Sequence, residues 1–201
     1  MANNVDNFIC VQGNEAVMAE WETLFVKYGE NTERPSYHGD GTINVWEYEE
    51  IQKHPFMSGY NPDEGWYDWG CENVGAKWAH IEHAEETFVN ITSAWSAITP
   101  YVEKLYWHLE KLDAKVQIQH NYEDEFRNFI GVGTWDNECY DEVNLDWDDI
   151  EVMMENKFGK DYHKQENWDW HEYHEEAECY PNEYQDDLVI TFFNENGISW
   201  R

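Results

Sequence analysis

Residues 115–135, KVQIQHNYEDEFRNFIGVGTW, decide the fold of this chain. Within them, residues 115–123 and 127–135 alternate between apolar and polar side chains, which is the period of a strand with one buried face. A short polar segment separates the two runs, so the stretch predicts a β-hairpin. The elements that precede the hairpin then determine the kind of sheet to which it belongs.

Five predicted elements precede the hairpin. Asn14 is a natural helix N-cap, and the apolar residues after it recur at helical spacing. Pro100 lies where the first turn of a helix accepts a proline, because an N–H group there has no partner within the helix. The five elements are a strand at 7–11, a helix at 15–28, strands at 78–83 and 87–92, and a helix at 98–112.

The order β-α-β-β-α-β-β is that of a ferredoxin-like split βαβ fold with one added strand. We therefore expect an α+β domain over residues 1–135, in which an antiparallel sheet carries helices on one face. Residues 30–65 interrupt this order with three prolines and four glycines. They predict a long excursion that contains one possible strand at 42–48.

Several motifs of residues 1–135 resemble the YubB-type ferredoxin-like domain found in plasmid and phage proteins. The most specific are WYDW at 66–69, the cluster of Asn73, Gly75, Lys77 and Trp78, and AWS at 94–96. The chain departs from the family pattern at Val74, where tryptophan is common, and at Ala97, where proline is common. The resemblance implies the fold and a mobile-element context, and it implies no activity.

Composition and charge narrow the classes of function. Apolar residues make up 41% of the 201-residue chain and 12 are tryptophans, which is enough to build a core. The 43 acidic and 12 basic residues give a net charge of −31. This charge opposes direct binding to nucleic acid or to an anionic membrane and favours a basic protein partner. Since no signal peptide or transmembrane pattern is recognisable, we expect a cytoplasmic protein.

From residue 136 the sequence becomes strongly acidic, and we expect a mainly helical C-terminal extension over 136–201. Residues 136–187 contain 19 acidic residues and three lysines, a net charge of −16. Helices are predicted at 146–158 and 162–178, followed by a final strand at 188–193. That strand would join the edge of the sheet and hold the extension against it.

The acidic extension supports the leading functional hypothesis, in which it binds a basic, nucleic-acid-handling host protein. Two acidic helices side by side reach about half the charge density of duplex DNA. A phage or plasmid accessory protein of this kind would inhibit a defence or transcription factor in the host cytoplasm as a DNA mimic, in host takeover or anti-defence. Solubility or salt adaptation is the alternative explanation of the acidity. The candidate contact residues are Asp148, Asp149, Glu151, Glu172, Glu175, Glu176 and Glu178, with Trp168 and Trp170 as aromatic anchors.

The aromatic block at 66–78 offers a different function, a module that binds a small ligand or a peptide. Its rings could stack on a ligand, and its lysine could add a cation–π contact. The same residues could instead pack the 30–65 excursion against the sheet. The block consists of Trp66, Tyr67, Trp69, Asn73, Lys77 and Trp78.

Motifs for metal binding and catalysis are weak. His171 and His174 are three residues apart with Glu172 between them, so the H-E-x-x-H signature of zinc proteases is absent. The pair could coordinate a metal with Glu175 or Glu178, but nothing in the pattern predicts a dedicated site. The chain contains no G-x-S-x-G, P-loop or G-x-G-x-x-G motif. We therefore expect no catalytic centre and no cofactor, and the oligomeric state stays open.

Overall fold

The computed structural model describes residues 3–26, 59, 66–126, 128–160 and 179–198, and within them one antiparallel sheet packs against α-helices. The strands are β1 (Asn4–Gln12), β2 (Ala79–Ala84), β3 (Phe88–Ala94), β4 (Gln117–Asp124), β5 (Phe129–Asp136) and β6 (Cys139–Asp146). The helices are α1 (Glu15–Trp21, continued by a π-helical segment over Glu22–Val26), α2 (Trp66–Asn73), α3 (Thr99–Glu110), α4 (Trp147–Phe158) and α5 (Cys179–Glu195).

The six strands lie in the order β2-β3-β1-β4-β5-β6, and every neighbouring pair is antiparallel. Because β1 and β2 are both antiparallel to β3, they run parallel to each other with β3 between them. The same argument makes β3 and β4 parallel, with β1 between them. The predicted α+β class is therefore confirmed, and each of the five predicted strands up to residue 135 overlaps an observed one.

The alternation in β1 shows how the sheet is oriented. Val5, Ile9 and Val11 are buried, whereas Cys10 and Gln12, which point to the other face, are exposed. The buried face meets α1, α2 and α3 in a large hydrophobic cluster, the main core. Its largest fully buried side chains include Trp21, Phe25, Tyr106 and Leu109.

A second core lies on the opposite face of the sheet, at the β5–β6 end. Ile130, Val132 and Leu145 point to this face and pack against α4 and α5. Helices therefore cover both faces of the sheet. Helices α1, α2 and α3 lie on the main-core face, and α4 and α5 cover the other face.

Asn14 and Asp146 begin their helices as the sequence predicts. The Asn14 side chain accepts hydrogen bonds from the backbone N–H groups of Ala16 and Val17. The Asp146 side chain accepts from the Asp149 N–H while the Asp149 side chain accepts from the Asp146 N–H, which is a reciprocal capping box. The predicted helix at 146–158 is confirmed.

Strand β6 is not predicted by the sequence pattern. Its three acidic residues obscure the alternation of Val143 and Leu145, which point into the second core. It follows β5 through the two-residue turn Asn137–Glu138, in which both residues have positive φ. The sheet therefore continues beyond residue 136, into the region where the separate acidic extension was expected to begin.

The predicted final strand at 188–193 is wrong, because these residues belong to helix α5. The run LVITFF has the β-branched and aromatic residues that favour strands. Val189, Phe192 and Phe193, however, all contact the second core, and this i, i+3, i+4 spacing shares one face of a helix but not of a strand. Tertiary packing against α4 decides the conformation.

Other predictions fall on residues that the structure does not describe. The predicted strand at 42–48, nearly all of the 30–65 excursion and the predicted helix at 162–178 lie outside the described residues. Among the cysteines that are described, Cys10, Cys71 and Cys139 are free thiols. Within the described ranges, no helix combines the length and the apolar character needed to cross a bilayer.

Candidate functional site

The acidic residues predicted to contact a partner divide into two groups. Asp148, Asp149 and Glu151 lie on the exposed side of α4. Asp149 also serves the capping box, so part of its role is structural. The remaining predicted contact residues, Trp168, Trp170, Glu172, Glu175, Glu176 and Glu178, lie outside the described residues, as do His171 and His174.

The three α4 acids belong to a longer ordered stretch, residues 138–155, which we call the acidic segment. It contains eight acidic residues and no basic one. Seven of the eight side chains are exposed, and Glu155 is half-buried. The eight are Glu138, Asp141, Glu142, Asp146, Asp148, Asp149, Glu151 and Glu155.

Some of these charges have a structural use. Among the described strands β6 ends the sheet, and charged side chains on an edge strand discourage pairing with another chain. Asp148 and Asp149 lie in the first turn of α4, where the partial positive charge of the helix N-terminus stabilises carboxylates. These uses account for individual acids and leave the absence of any basic residue from the segment unexplained.

The aromatic block at 66–78 is distributed between helix α2 and the start of β2. Trp69 is buried in the main core, and Tyr67 is exposed. Asn73 closes the end of α2, donating to the Trp69 carbonyl at 3.0 Å and accepting from Lys104 Nζ at 2.7 Å. Trp78 stacks on His80 with ring centroids 5.5 Å apart. Trp69 and Asn73 therefore serve packing, and the side chain of Trp66 is outside the described set.

Lys77 contacts an aromatic ring outside the predicted block. Its Nζ lies 5.1 Å from the ring centroid of Trp95, a residue with a positive φ of 71° and 48% exposure. A positive φ is unfavourable for a bulky side chain. Ser96 Oγ donates to the carbonyl of Gly75, which joins this loop to the residues after α2. The Lys77–Trp95 pair marks a strained, exposed position that spacing alone does not reveal.

A cluster of aromatic rings and one carboxylate lies on the main-core face at the β4–β6 end, and the sequence pattern does not predict it. We call Tyr122, Trp135, Tyr140 and Glu142 the aromatic–carboxylate cluster. Tyr122 Oη donates to Glu142 Oε1 at 2.6 Å. Trp135 and Tyr140 are directly paired across β5 and β6, and their rings stack with centroids 4.5 Å apart.

Two glycines of β5 make room for these rings. A Cβ at Gly131 would overlap the phenol of Tyr122. A Cβ at Gly133 would lie 3.0 Å from the Tyr140 ring and 3.1 Å from the Trp135 ring. The G-x-G spacing at 131–133, which suggests close backbone approach in a strand, thus lets the rings lie flat on the sheet.

The electrostatics of the cluster keep both tyrosines neutral. Burial, followed by the hydrogen bond to Glu142 and its charge, raises the pKa of Tyr122 and of Tyr140 above the ordinary tyrosine value. The charge of Glu103 in α3 raises the pKa of Tyr140 further. The phenols act as hydrogen-bond donors, and the exposed carboxylate of Glu142 lies beside a half-exposed ring. This arrangement can bind a cation through its charge and through the ring face.

A buried polar junction lies beneath the cluster. His120 Nε2 donates to Asn7 Oδ1 at 3.0 Å, and the same oxygen accepts from the Ile98 N–H at 3.1 Å. Asn7 Nδ2 donates to Ser93 Oγ at 2.8 Å. Burial lowers the pKa of His120 to about 3, so its ring is neutral, and Nδ1 has no hydrogen-bond partner among the residues that the structure describes. The junction connects β1, β3 and β4 to the start of α3.

The part of the chain that the structure describes contains no group of three or more His, Cys, Asp or Glu side chains arranged to hold a metal ion. Comparison of the chain with protein-family models, with curated proteins and with solved structures gives no match.

Proposed function

We propose that this protein is a non-enzymatic binding protein whose acidic surface captures a basic, nucleic-acid-handling protein. The observation that carries the proposal is the acidic segment, residues 138–155. Its eight carboxylates lie on a turn, a strand and a helix, the segment itself contains no basic residue, and the strand and the helix share the second core. A rigid array of like charges favours a partner whose own surface carries Lys and Arg.

The spacing of the charges supports a mimic of nucleic acid. A strand rises about 3.3 Å per residue and a helix about 1.5 Å. The acidic segment therefore follows about 40 Å of backbone, or about one charge per 5 Å. Duplex DNA carries about one charge per 1.7 Å of axis, so the segment reaches roughly a third of that density. A field of this strength accelerates encounter with a basic surface and weakens as salt rises.

The ferredoxin-like topology and the phage or plasmid context are part of the same proposal. The strand order β2-β3-β1-β4, with β1–α1–β2 and β3–α3–β4 as its two crossovers, supports a ferredoxin-like assignment for the first four strands. Together with the YubB-type motifs, it supports a phage or plasmid accessory protein that acts in the host cytoplasm. Such a protein would block a defence or transcription factor by occupying its nucleic-acid-binding surface, without turnover.

The test is capture followed by competition. The immobilised chain is exposed to bacterial lysate at increasing NaCl, and each captured protein is purified and titrated with labelled duplex DNA in the presence of the free chain. We expect a basic protein that elutes as salt rises and loses its DNA in proportion to the chain added. Captured proteins that keep their DNA, or that stay bound irrespective of salt, would contradict the proposal.

Variants of the acidic segment sharpen this test. Asp148→Asn combined with Glu151→Gln removes two exposed charges and leaves the Asp146–Asp149 capping box intact. Glu86→Gln with Glu125→Gln removes the same charge from exposed positions outside the segment. We expect the first pair to weaken capture several-fold more than the second. Equal weakening would attribute the binding to net charge alone.

A further inference from the structure

We propose that the aromatic–carboxylate cluster is the binding site for an arginine side chain of the basic partner. The inference rests on the proposed function and deepens it by naming the chemical group that the surface recognises and the residues that receive it. Tyr140 supplies the ring face, and Glu142 supplies the carboxylate. The neighbouring Tyr122, Trp135 and Glu103 hold or reinforce these two groups.

Tyr140 is fixed in place before any partner arrives. The residue is 43% exposed, yet its ring stacks on Trp135, which is only 3% exposed and is held by packing. Trp135 in turn lies against the buried His120 ring, with centroids 6.3 Å apart. An exposed aromatic ring that is already held flat loses little conformational freedom on binding. Its open side is suited to a planar guanidinium, which stacks on aromatic faces.

Glu142 is held in a similar way. Its Oε1 accepts the Tyr122 hydroxyl at 2.6 Å, and it also forms a hydrogen bond with Tyr140. The side chain is exposed and remains within a segment that contains no basic residue. Glu103 of α3 acts on the same Tyr140 phenol. A cation placed over the ring therefore meets a positioned carboxylate and a second negative charge.

Packing explains only part of the cluster. Rings that cover Gly131 and Gly133 stabilise the sheet, and this accounts for Tyr122 and Trp135, which are both buried. It does not account for a half-exposed Tyr140 beside a charged, exposed Glu142. Arginine satisfies both groups at once, because its guanidinium pairs with carboxylates and stacks on rings. Lysine offers a compact charge and lacks the planar surface.

The test uses the full chain and fluorescently labelled octa-arginine and octa-lysine peptides, measured by anisotropy at 150 mM NaCl. At this ionic strength the Debye length is about 8 Å, so long-range attraction is reduced. We compare Glu142→Gln with Asp141→Asn. The two variants lose the same charge from neighbouring residues of β6 that point to opposite faces of the sheet. Gln retains an oxygen to accept the Tyr122 hydroxyl.

We expect Glu142→Gln to weaken octa-arginine binding at least fivefold more than Asp141→Asn does. Tyr140→Leu should weaken octa-arginine more than octa-lysine, and thermal unfolding of each variant checks that it is folded. Equal effects of Glu142→Gln and Asp141→Asn would overturn the arginine site and leave the proposed function intact, since that function needs only the charge. Failure of the wild-type chain to bind octa-arginine would also overturn the site, whereas the DNA-competition experiment decides the proposed function separately.

Discussion

At the scale of single residues, His120 is a fully buried titratable side chain. Its one described hydrogen bond goes to Asn7, which already accepts from the N–H at the start of α3. A charged imidazole there would lie among the rings of Tyr122 and Trp135 without a carboxylate partner among its described hydrogen bonds. Protonation is therefore opposed by burial, and the residue should couple folding to pH.

We predict that His120→Gln makes folding less sensitive to acid. Burial lowers the folded-state pKa to about 3, whereas the unfolded chain has the ordinary value of about 6.5. Between about pH 3 and pH 6.5 the unfolded state therefore binds a proton at His120 that the folded state does not bind. The corresponding stability is fully present above pH 6.5 and is lost as pH falls towards 3, by about 2 kcal/mol at pH 5. Urea unfolding at pH 7.5 and pH 5 measures the loss in each protein.

Comparing the loss of stability in the wild type and in His120→Gln isolates the proton of His120, because the many carboxylates titrate in both proteins. His83→Gln, at an exposed position, is the control for the loss of a histidine side chain. His120→Gln should lose about 2 kcal/mol less than the wild type between the two pH values. Parallel profiles for the wild type and His120→Gln would show that His120 is not the coupled group.

At the scale of elements, the β5–β6 hairpin is the feature on which the candidate site depends. Its two-residue turn, Asn137–Glu138, has φ values of 46° and 61°. Asn tolerates this conformation, but Glu does not favour it, and type I′ turns of this kind prefer Gly at the second position. The Glu138 N–H donates to the Tyr106 hydroxyl at 2.9 Å, which ties the turn to α3. The backbone of Glu138 is therefore strained, and its hydrogen bond to Tyr106 holds the turn against the main core.

We predict that Glu138→Gly stabilises the protein by about 0.5–1 kcal/mol, because glycine removes the conflict between Cβ and a positive φ. The backbone N–H that reaches Tyr106 is retained. Chemical denaturation at constant salt measures the effect. Glu138→Ala is the matched control, since it removes the same charge and keeps the Cβ. A gain of equal size in both variants would assign the effect to charge repulsion instead of backbone strain.

Helix α5 shows how an element is decided by its neighbours. The run at 188–193 is rich in side chains that favour strands, yet it is helical. The helix places Val189 and Phe193 in the second core beside Ile150 and Met153 of α4. A strand would send the adjacent Phe192 and Phe193 to opposite sides, whereas the helix lets both contact the second core.

At the scale of the whole molecule, two hydrophobic cores hold the helices against the two faces of the sheet. The main core joins α1, α2 and α3 to one face of the sheet, and the second core fastens α4 and α5 to the other face. The acidic segment lies at the β5–β6 end, where the two cores meet across the sheet. Both of its elements, β6 and α4, pack in the second core, which fixes the backbone positions from which its charges project.

The net charge of −31 should make folding dependent on salt. Like charges repel one another in the folded state more than in the expanded chain, and salt screens that repulsion. We predict that raising NaCl from 0.05 M to 0.5 M increases the free energy of unfolding by about 1 kcal/mol, or about 2–4 °C in Tm. Calorimetry measures the shift, and KCl should give the same result.

The salt series also separates the partner-binding proposal from salt adaptation. Screening is largely complete near 0.5 M, so the stability gain should level off there. A steep gain that continues at molar NaCl would favour salt adaptation as the reason for the acidity. A difference between NaCl and KCl would indicate specific ion binding.

Local patterns in the sequence determined much of this protein. The alternation at 115–123 and 127–135, the Asn14 cap and the helical spacing of 98–112 depend on neighbouring residues, and each corresponds to an observed element. The acidity of residues 138–155 is equally plain in the sequence, so Asp148, Asp149 and Glu151 could be named as candidates before the fold was known.

The aromatic–carboxylate cluster depended on tertiary structure. Tyr122 and Glu142 are twenty residues apart, and they meet only because the register of β4, β5 and β6 brings them across two glycines. A shift of one residue in that register would turn either side chain to the opposite face. Strand register and the packing of α5 are set by long-range contacts, which no local period encodes. The sequence alone therefore determined the charge and most of the elements, and tertiary structure decided which side chains share a surface.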